Sequence, residues 1–321
     1  MLLTSYFLAA LAIALAWPTP LALSKAKWIT RAPVQAVLLW QAIALGGGLS
    51  MIGSMLVWGL TPLGDNLISA LHGGWRLLMG DPGVQYPGVV HLFALSTAFL
   101  FGFHLVLTLI RAAWRTSRQR AKHRQLLLLL SNPSETRPNT LVIDHDMPVA
   151  YCVPGISNSV TVLSRGLLTQ LTPEEQQAVI THERSHLDQR HDLLILAFTA
   201  WNEALPWLPT SKLALEAVRQ LIEMLADDRA LERVNRQTLL KAIVTVATAA
   251  AVEESTSANN SANAQLVGMP GGEVSSRRLQ RLLSPENSLN RPSRILVLTS
   301  TVLLLACPTG LLIAPTLLSW N

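Results

Sequence analysis

His182 and His186 stand four residues apart, with Glu183 directly after the first. On a helix that spacing puts both imidazoles on one face, about 6 Å apart along the axis, so they can converge on one ion. Glu183 can then take a proton from a metal-bound water while staying outside the coordination shell, the division of labour that zinc-assisted peptide hydrolysis requires. The plain alternative is two solvated histidines on a polar helix face. A catalytic zinc site also needs a third protein ligand and one open position. A third histidine from the same run fails, because Gln189 stands where that spacing needs Gly, Asp192 where it needs His, and His191 is one residue out of register. A carboxylate from a second helix is the other route. Glu223 and Asp227, four residues apart, offer one group to bind the metal and one to orient a ligand histidine. The same pair reads equally as a charged helix face with Arg219 as its ion-pair partner, and Glu203, Asp228 and Glu232 compete for the role.

The elements that must position these groups are legible around them. Thr172-Pro173-Glu174-Glu175 is a strong helix start, with Thr as N-cap, Pro at the first helical position and Glu closing a capping box. It predicts a helix over 173–192, and Ser211 caps a second predicted over 211–234. Between them, Leu193 to Trp201 is apolar but too short to cross a bilayer; it is expected against the membrane or in a core. Upstream, Leu141–Ile143, Val149–Val153 and Ser159–Leu163 are short β-prone runs, which predict a sheet of about three strands. Asn158, Ser159, Val160, Thr161 and Val162 are expected in an edge strand that could pair with an extended substrate. Residues 253–273 carry no periodicity and predict a mobile loop.

Of the 321 residues half are hydrophobic and only 14% charged, well below the roughly 25% usual for soluble domains. Uncharged stretches near 2–23, 34–60, 88–110 and 295–320 are long enough for membrane helices. No Lys or Arg precedes Lys25, so the first is expected as a retained span rather than a cleaved signal. Basic residues cluster at 25–31, 111–124 and 277–294, while the link between spans two and three carries only Arg76. If lysines and arginines stay inside, both termini lie outside and the segment between spans three and four is cytoplasmic. The expected fold is therefore a four-span α-helical membrane protein with a cytoplasmic α+β domain, divided as 1–113, 114–293 and 294–321. The net charge of +5 is accounted for by these juxtamembrane clusters, which call for membrane lipid and no direct nucleic acid. Cys152 and Cys307 are expected neither to pair nor to bind metal. His91 and His104 in span three read as neutral groups bonded between spans. Gly46-Gly47-Gly48 and Gly53 permit close helix approach, with a homodimer as one use.

These residues resemble a known family, the gluzincin metallopeptidases of the BlaR/MecR type, relatives of the HtpX proteases. The resemblance rests on AYCVPGISNSVTVLSRGLLTQLTPEEQQAVITHERSHLDQRHD, then WNEALPWLP, then EMLADDRAL, its specific part running from Ala150 to Asp228 and the last stretch ending at Leu231. Val274 to Leu283 is similar to the family's basic helix before the last span. The resemblance implies one Zn2+ held by His182, His186 and Glu223, Glu183 as base, and Asp227 orienting a ligand. The chain looks like the shorter actinobacterial-type members, which are expected to lack the penicillin-binding sensor. The resemblance implies a BlaI/MecI-like cytoplasmic repressor as substrate, with self-cleavage near the loop as an added expectation. An HtpX-like quality-control protease and a non-proteolytic signalling scaffold are the alternatives.

Overall fold

The computed structural model describes residues 1–84, 86–134, 138–153, 159–257, 276–284 and 288–318. Among them the elements run α1 (Leu2–Ala16), α2 (Pro18–Ser24), α3 (Pro33–Leu60), α4 (Leu67–Leu78), α5 (Val89–Leu130), β1 (Ser131–Pro133), β2 (Thr140–Ile143), β3 (Ala150–Val153) and β4 (Val160–Ser164). There follow α6 (Arg165–Gln170), α7 (Pro173–Asp188), α8 (His191–Ala204), α9 (Pro209–Leu231), α10 (Arg236–Ser257), α11 (Ser276–Leu283) and α12 (Arg291–Leu318). The chain divides into two compact units. One comprises Met1–Arg111, Ala197–Val218 and Ser288–Asn321, the other Ala112–Leu196 and Arg219–Asn287.

The first unit holds four stretches long and apolar enough to cross a membrane, Leu2–Ser24, Pro33–Leu63, Val89–Leu127 and Arg291–Ile313, the third of which runs on into the second unit. They fall where the composition puts them. At 42 residues, α5 is about twice the length a ~30 Å hydrocarbon core demands, so its apolar half continues unbroken into the basic run from Arg111. Inside this unit α3 packs against α1 and α12 at its glycines. A Cβ on Gly46 would lie 2.7 Å from the Leu304 carbonyl oxygen, and one on Gly53 would touch Leu8 and Leu312. These glycines are thus used for close helix approach within the chain. His104 donates from Nε2 to the Ala204 carbonyl oxygen at 3.1 Å, and His91 stacks on Trp58.

The second unit is built on a four-stranded sheet in the order β1-β2-β4-β3, β2 parallel to β4 and the other neighbours antiparallel. The breaker stretch after α5 thus supplies a strand, one more than expected. Two corrections follow. β4 pairs on both sides, with Thr161 opposite Thr140 of β2 and Cys152 of β3, so Val160, Thr161 and Val162 lie in an interior strand rather than at an edge. Ser159 precedes it, and Asn158 lies outside the described residues. The predicted helix over 173–192 is in fact α7 and the start of α8, separated at Gln189 and Arg190; Arg190 sits at φ 50°, the left-handed conformation that ends helices. α10 continues through Ser257, five residues into the expected loop, and 258–273 lie outside the described residues.

The capping box forms as read: Thr172 Oγ1 accepts from the Glu175 N–H, and Glu175 Oε2 accepts from the Thr172 N–H at 3.0 Å. Beneath α7 a core of Leu163, Leu167, Leu171, Ala178, Ala230, Leu239, Ala242 and Leu282 joins β4, α6, α7, α9, α10 and α11. Ser164 ends β4 and caps α6, accepting from the Leu167 N–H at 3.0 Å. The following Gly166 is pressed so closely on the Asp146 backbone that a Cβ would overlap its carbonyl. Gly166→Ala should therefore destabilise by about 1–3 kcal/mol and lower the thermal midpoint of the detergent-purified protein. Gly310→Ala, where a Cβ meets nothing within 4 Å, should leave it unchanged or raise it.

Candidate metal centre

The capped start of α7 sets the rotation of the helix, and Gln176, Ala178, Thr181, His182 and Ser185 form its buried face. α9 approaches with Glu223 and Asp227 one turn apart, flanked by buried Ile222, Met224 and Ala226. Between the two helices, ligand atoms of His182, His186 and Glu223 all lie within 4.8 Å of one another, the one such group among the described residues. The Nε2 atoms of His182 and His186 are 3.4 Å apart. Glu223 places Oε2 3.4 Å from His182 Nε2 and Oε1 3.7 Å from His186 Nε2. A tetrahedral ion with bonds of about 2.0–2.1 Å sets its ligand atoms about 3.3–3.4 Å apart, and two histidines with one glutamate are a donor set of catalytic zinc sites. The residues present fit such an ion.

Asp227 sits behind the first histidine. Its Oδ1 lies 3.1 Å from His182 Nδ1, an ion-pair distance outside hydrogen-bond alignment. The competing carboxylates are engaged elsewhere: Asp228 pairs with Arg281 and Glu232 with Arg229, while Glu203 lies on α8 outside the group. Asp192 pairs with Arg120 at 2.9 Å.

Two residues that the local sequence does not mark complete the centre. Arg278 of α11, 5% exposed, donates from Nε and Nη2 to the two oxygens of Asp227 at 2.7 and 2.8 Å, and from Nη1 to Glu223 Oε2 at 3.0 Å. It takes the place of Arg219 as the partner of Glu223. Its Nη2 also comes within 3.5 Å of His182 Nε2. α11 is seated by Leu282 in the core and by Arg281 on Asp228. The second residue is His191, 1% exposed, whose ring lies edge-on to His186. The only sequence signal for either was its residue type in a basic or histidine-rich stretch.

Electrostatics separate the two α7 histidines. Burial pulls the His182 imidazole down, but Asp227 and Glu223 outweigh it and carry it up to about 9. For His186, burial and repulsion from His182 prevail and push it down to about 4. Burial would raise Glu223, yet His182, His186 and Arg278 hold it near 2. Asp227 is likewise held below its ordinary value, against burial, by His182 and Arg278. Glu183 is pushed up to about 7 by burial, with Glu223 adding to that and His182 and Arg278 opposing it. A carboxyl in that range can accept and return a proton near neutral pH.

Apolar spans joined to an HExxH helix that meets an acidic second helix define a membrane peptidase. The family model described as BlaR1 peptidase M56 matches residues 86–267, more than half of the chain, and the chain belongs to that family. A Protease HtpX homolog from Moorella thermoacetica is 26% identical over 139 residues, 42% of this chain and 46% of that protein. The chain thus spans less than half the length of that curated relative.

Removing Arg278 would leave Asp227 and Glu223 with His182 alone to offset their charge. Arg278→Met should cost roughly 3–5 kcal/mol, seen as a marked drop in thermal midpoint. The same change at its exposed neighbour Arg277 should stay within about 0.5 kcal/mol.

Proposed function

We propose that this chain is a zinc-dependent endopeptidase of the cell membrane, with its peptidase unit on the cytoplasmic side, acting on a transcriptional repressor of the BlaI/MecI type. The observation that carries the metallopeptidase reading is the convergence of His182, His186 and Glu223 within 4.8 Å, with Glu183 next to the first ligand. These three residues would hold zinc. When bound there, zinc supplies a Lewis acid that polarises the scissile carbonyl and brings the pKa of a water toward ~7.

The protein groups around it do the rest. Glu183 takes the proton of the attacking water and hands it to the leaving amine, and its elevated pKa suits both halves of that transfer. Arg278 fixes both oxygens of Asp227, so that Asp227 stands rigidly behind His182. With β4 interior, β1 and β3 are the outer strands of the sheet, and of the two it is β3, beside α7, that is placed to pair with an extended substrate. Among the described residues β3 has a neighbour only on its β4 side, and it lies against α7.

The cytoplasmic placement is supported by the basic clusters at 111–124 and 277–294. The repressor as substrate rests on family membership. The likeness to a Protease HtpX homolog favours a second reading, a quality-control protease of broad substrate range.

Co-expression of a candidate repressor with the wild type and with Glu183→Ala separates these. The repressor should disappear only with the wild type, because loss of a general base costs about 10²–10⁴-fold in rate; equal survival in both removes the repressor as substrate. Glu183→Ala should keep its zinc, whereas His186→Ala and Glu223→Ala should lose it, and stoichiometric zinc in Glu223→Ala would remove that ligand. His182, raised to about 9 when no metal is bound, must shed a proton to bind. Zinc affinity should therefore climb about tenfold per pH unit up to about pH 9 and level off above it.

A further inference from the structure

α7 ends at Asp188 and the chain turns through Gln189 and Arg190, the latter at φ 50°. That reversal takes His191 off the helical register and swings its ring back against His186, with centroids 4.9 Å apart and the rings at 81°. His191 Nδ1 lies 3.0 Å from His186 Nδ1, and His191 Nε2 lies 3.0 Å from Gln189 Oε1. Nothing in the proposed hydrolysis uses this side of His186.

With the amide oxygen of Gln189 facing the ring, proton positions along this chain of contacts follow from donor and acceptor chemistry. An amide oxygen has only lone pairs, so His191 Nε2 must carry the hydrogen. Among the described residues no carboxylate hydrogen-bonds to the His191 ring, whose two nitrogens face His186 Nδ1 and Gln189 Oε1; in its neutral form Nδ1 is then a bare acceptor. A contact between two imidazole nitrogens needs one proton, so His186 Nδ1 must supply it. With its proton on Nδ1, His186 keeps the Nε2 lone pair, and Nε2 is the atom that faces His182 Nε2 and Glu223 Oε1 at 3.4 and 3.7 Å. One side-chain carbonyl thereby selects, through two imidazoles, the nitrogen that His186 offers to the metal.

We infer that His191 and Gln189 are positioning residues, a neutral relay that holds His186 as the Nδ1–H tautomer with Nε2 aimed into the cluster. The inference rests on the reading of that cluster as a metal site. It also gives the two ligand histidines partners of different kind: His182 is backed by the carboxylate of Asp227, His186 by an uncharged ring. Orientation is supplied to His186 without adding a third buried anion to the one that binds and the one behind it.

The test is metal affinity of the full-length, detergent-purified chain, by competition of Zn2+ against a chelator, together with the visible absorption of the Co2+-substituted protein. His191→Leu removes the acceptor while roughly keeping the volume and should weaken zinc binding about 10–100-fold, the usual effect of losing a partner behind a ligand, and change the cobalt spectrum. His191→Gln, whose amide oxygen can accept from His186, should recover much of the loss. At the exposed end of the relay, Gln189→Met should weaken binding several-fold and Gln189→Glu, which keeps an acceptor, less. Unchanged affinity and spectrum in His191→Leu would overturn the relay, as would unchanged affinity in Gln189→Met should the buried variant fail to fold. A wild type that binds neither ion would instead overturn the metal reading itself.

Discussion

Two carboxylates one turn apart on α9 are the constraint around which the second unit is organised. Asp227 has a side chain only 1% exposed and Glu223 one 24% exposed, and an ion taken out of water unpaired costs several kcal/mol. Compensation arrives from two directions. α7 brings His182 against both, and α11 brings Arg278, whose fork grips Asp227 with two nitrogens and reaches Glu223 with a third. Such a planar fork is the geometry that a buried carboxylate pair needs, and a lysine could not reproduce it. The apolar contacts of Leu282 and Ala230, and the pair Arg281 with Asp228, are what hold α11 close enough for this.

From the same constraint comes the asymmetry of the two histidines. They sit on one face of one helix, yet one is drawn up by carboxylates and the other is driven down by burial and its charged neighbour. What differs is the partner behind each ring, an aspartate for His182 and His191 for His186. The first unit is assembled on other terms. Its helices meet through glycines and small side chains, where close backbone approach replaces the charge pairing of the second unit.

Much of this was legible in the residues because the physics behind it is local. The spans follow from uncharged length, the start of α7 from a capping box closed within four residues, and the histidine pair from the 3.6-residue turn. Three features were not. An interior strand and an edge strand draw on the same β-prone residues, so Val160 to Val162 carry no mark of having neighbours on both sides. Gln189 and Arg190 are good helix formers, and propensity runs the helix through them. The break is accompanied by contacts that a continuous helix does not make, His191 on His186 five residues back and Asp192 on Arg120 72 residues away. Arg278 is one of several arginines in a basic stretch, and only the packing of α11 selects which of them is buried.

By itself, then, the sequence determined the four long apolar stretches, the HExxH helix and its cap, and an acidic pair on a second helix, since each depends on spacing within a turn or on the composition of about twenty residues. The tertiary structure decided which carboxylate joins His182 and His186, which arginine neutralises it, and which imidazole stands behind His186. Those choices bring together residues as much as 96 positions apart, and buried charge and hydrogen-bond geometry select among groups that look alike along the chain.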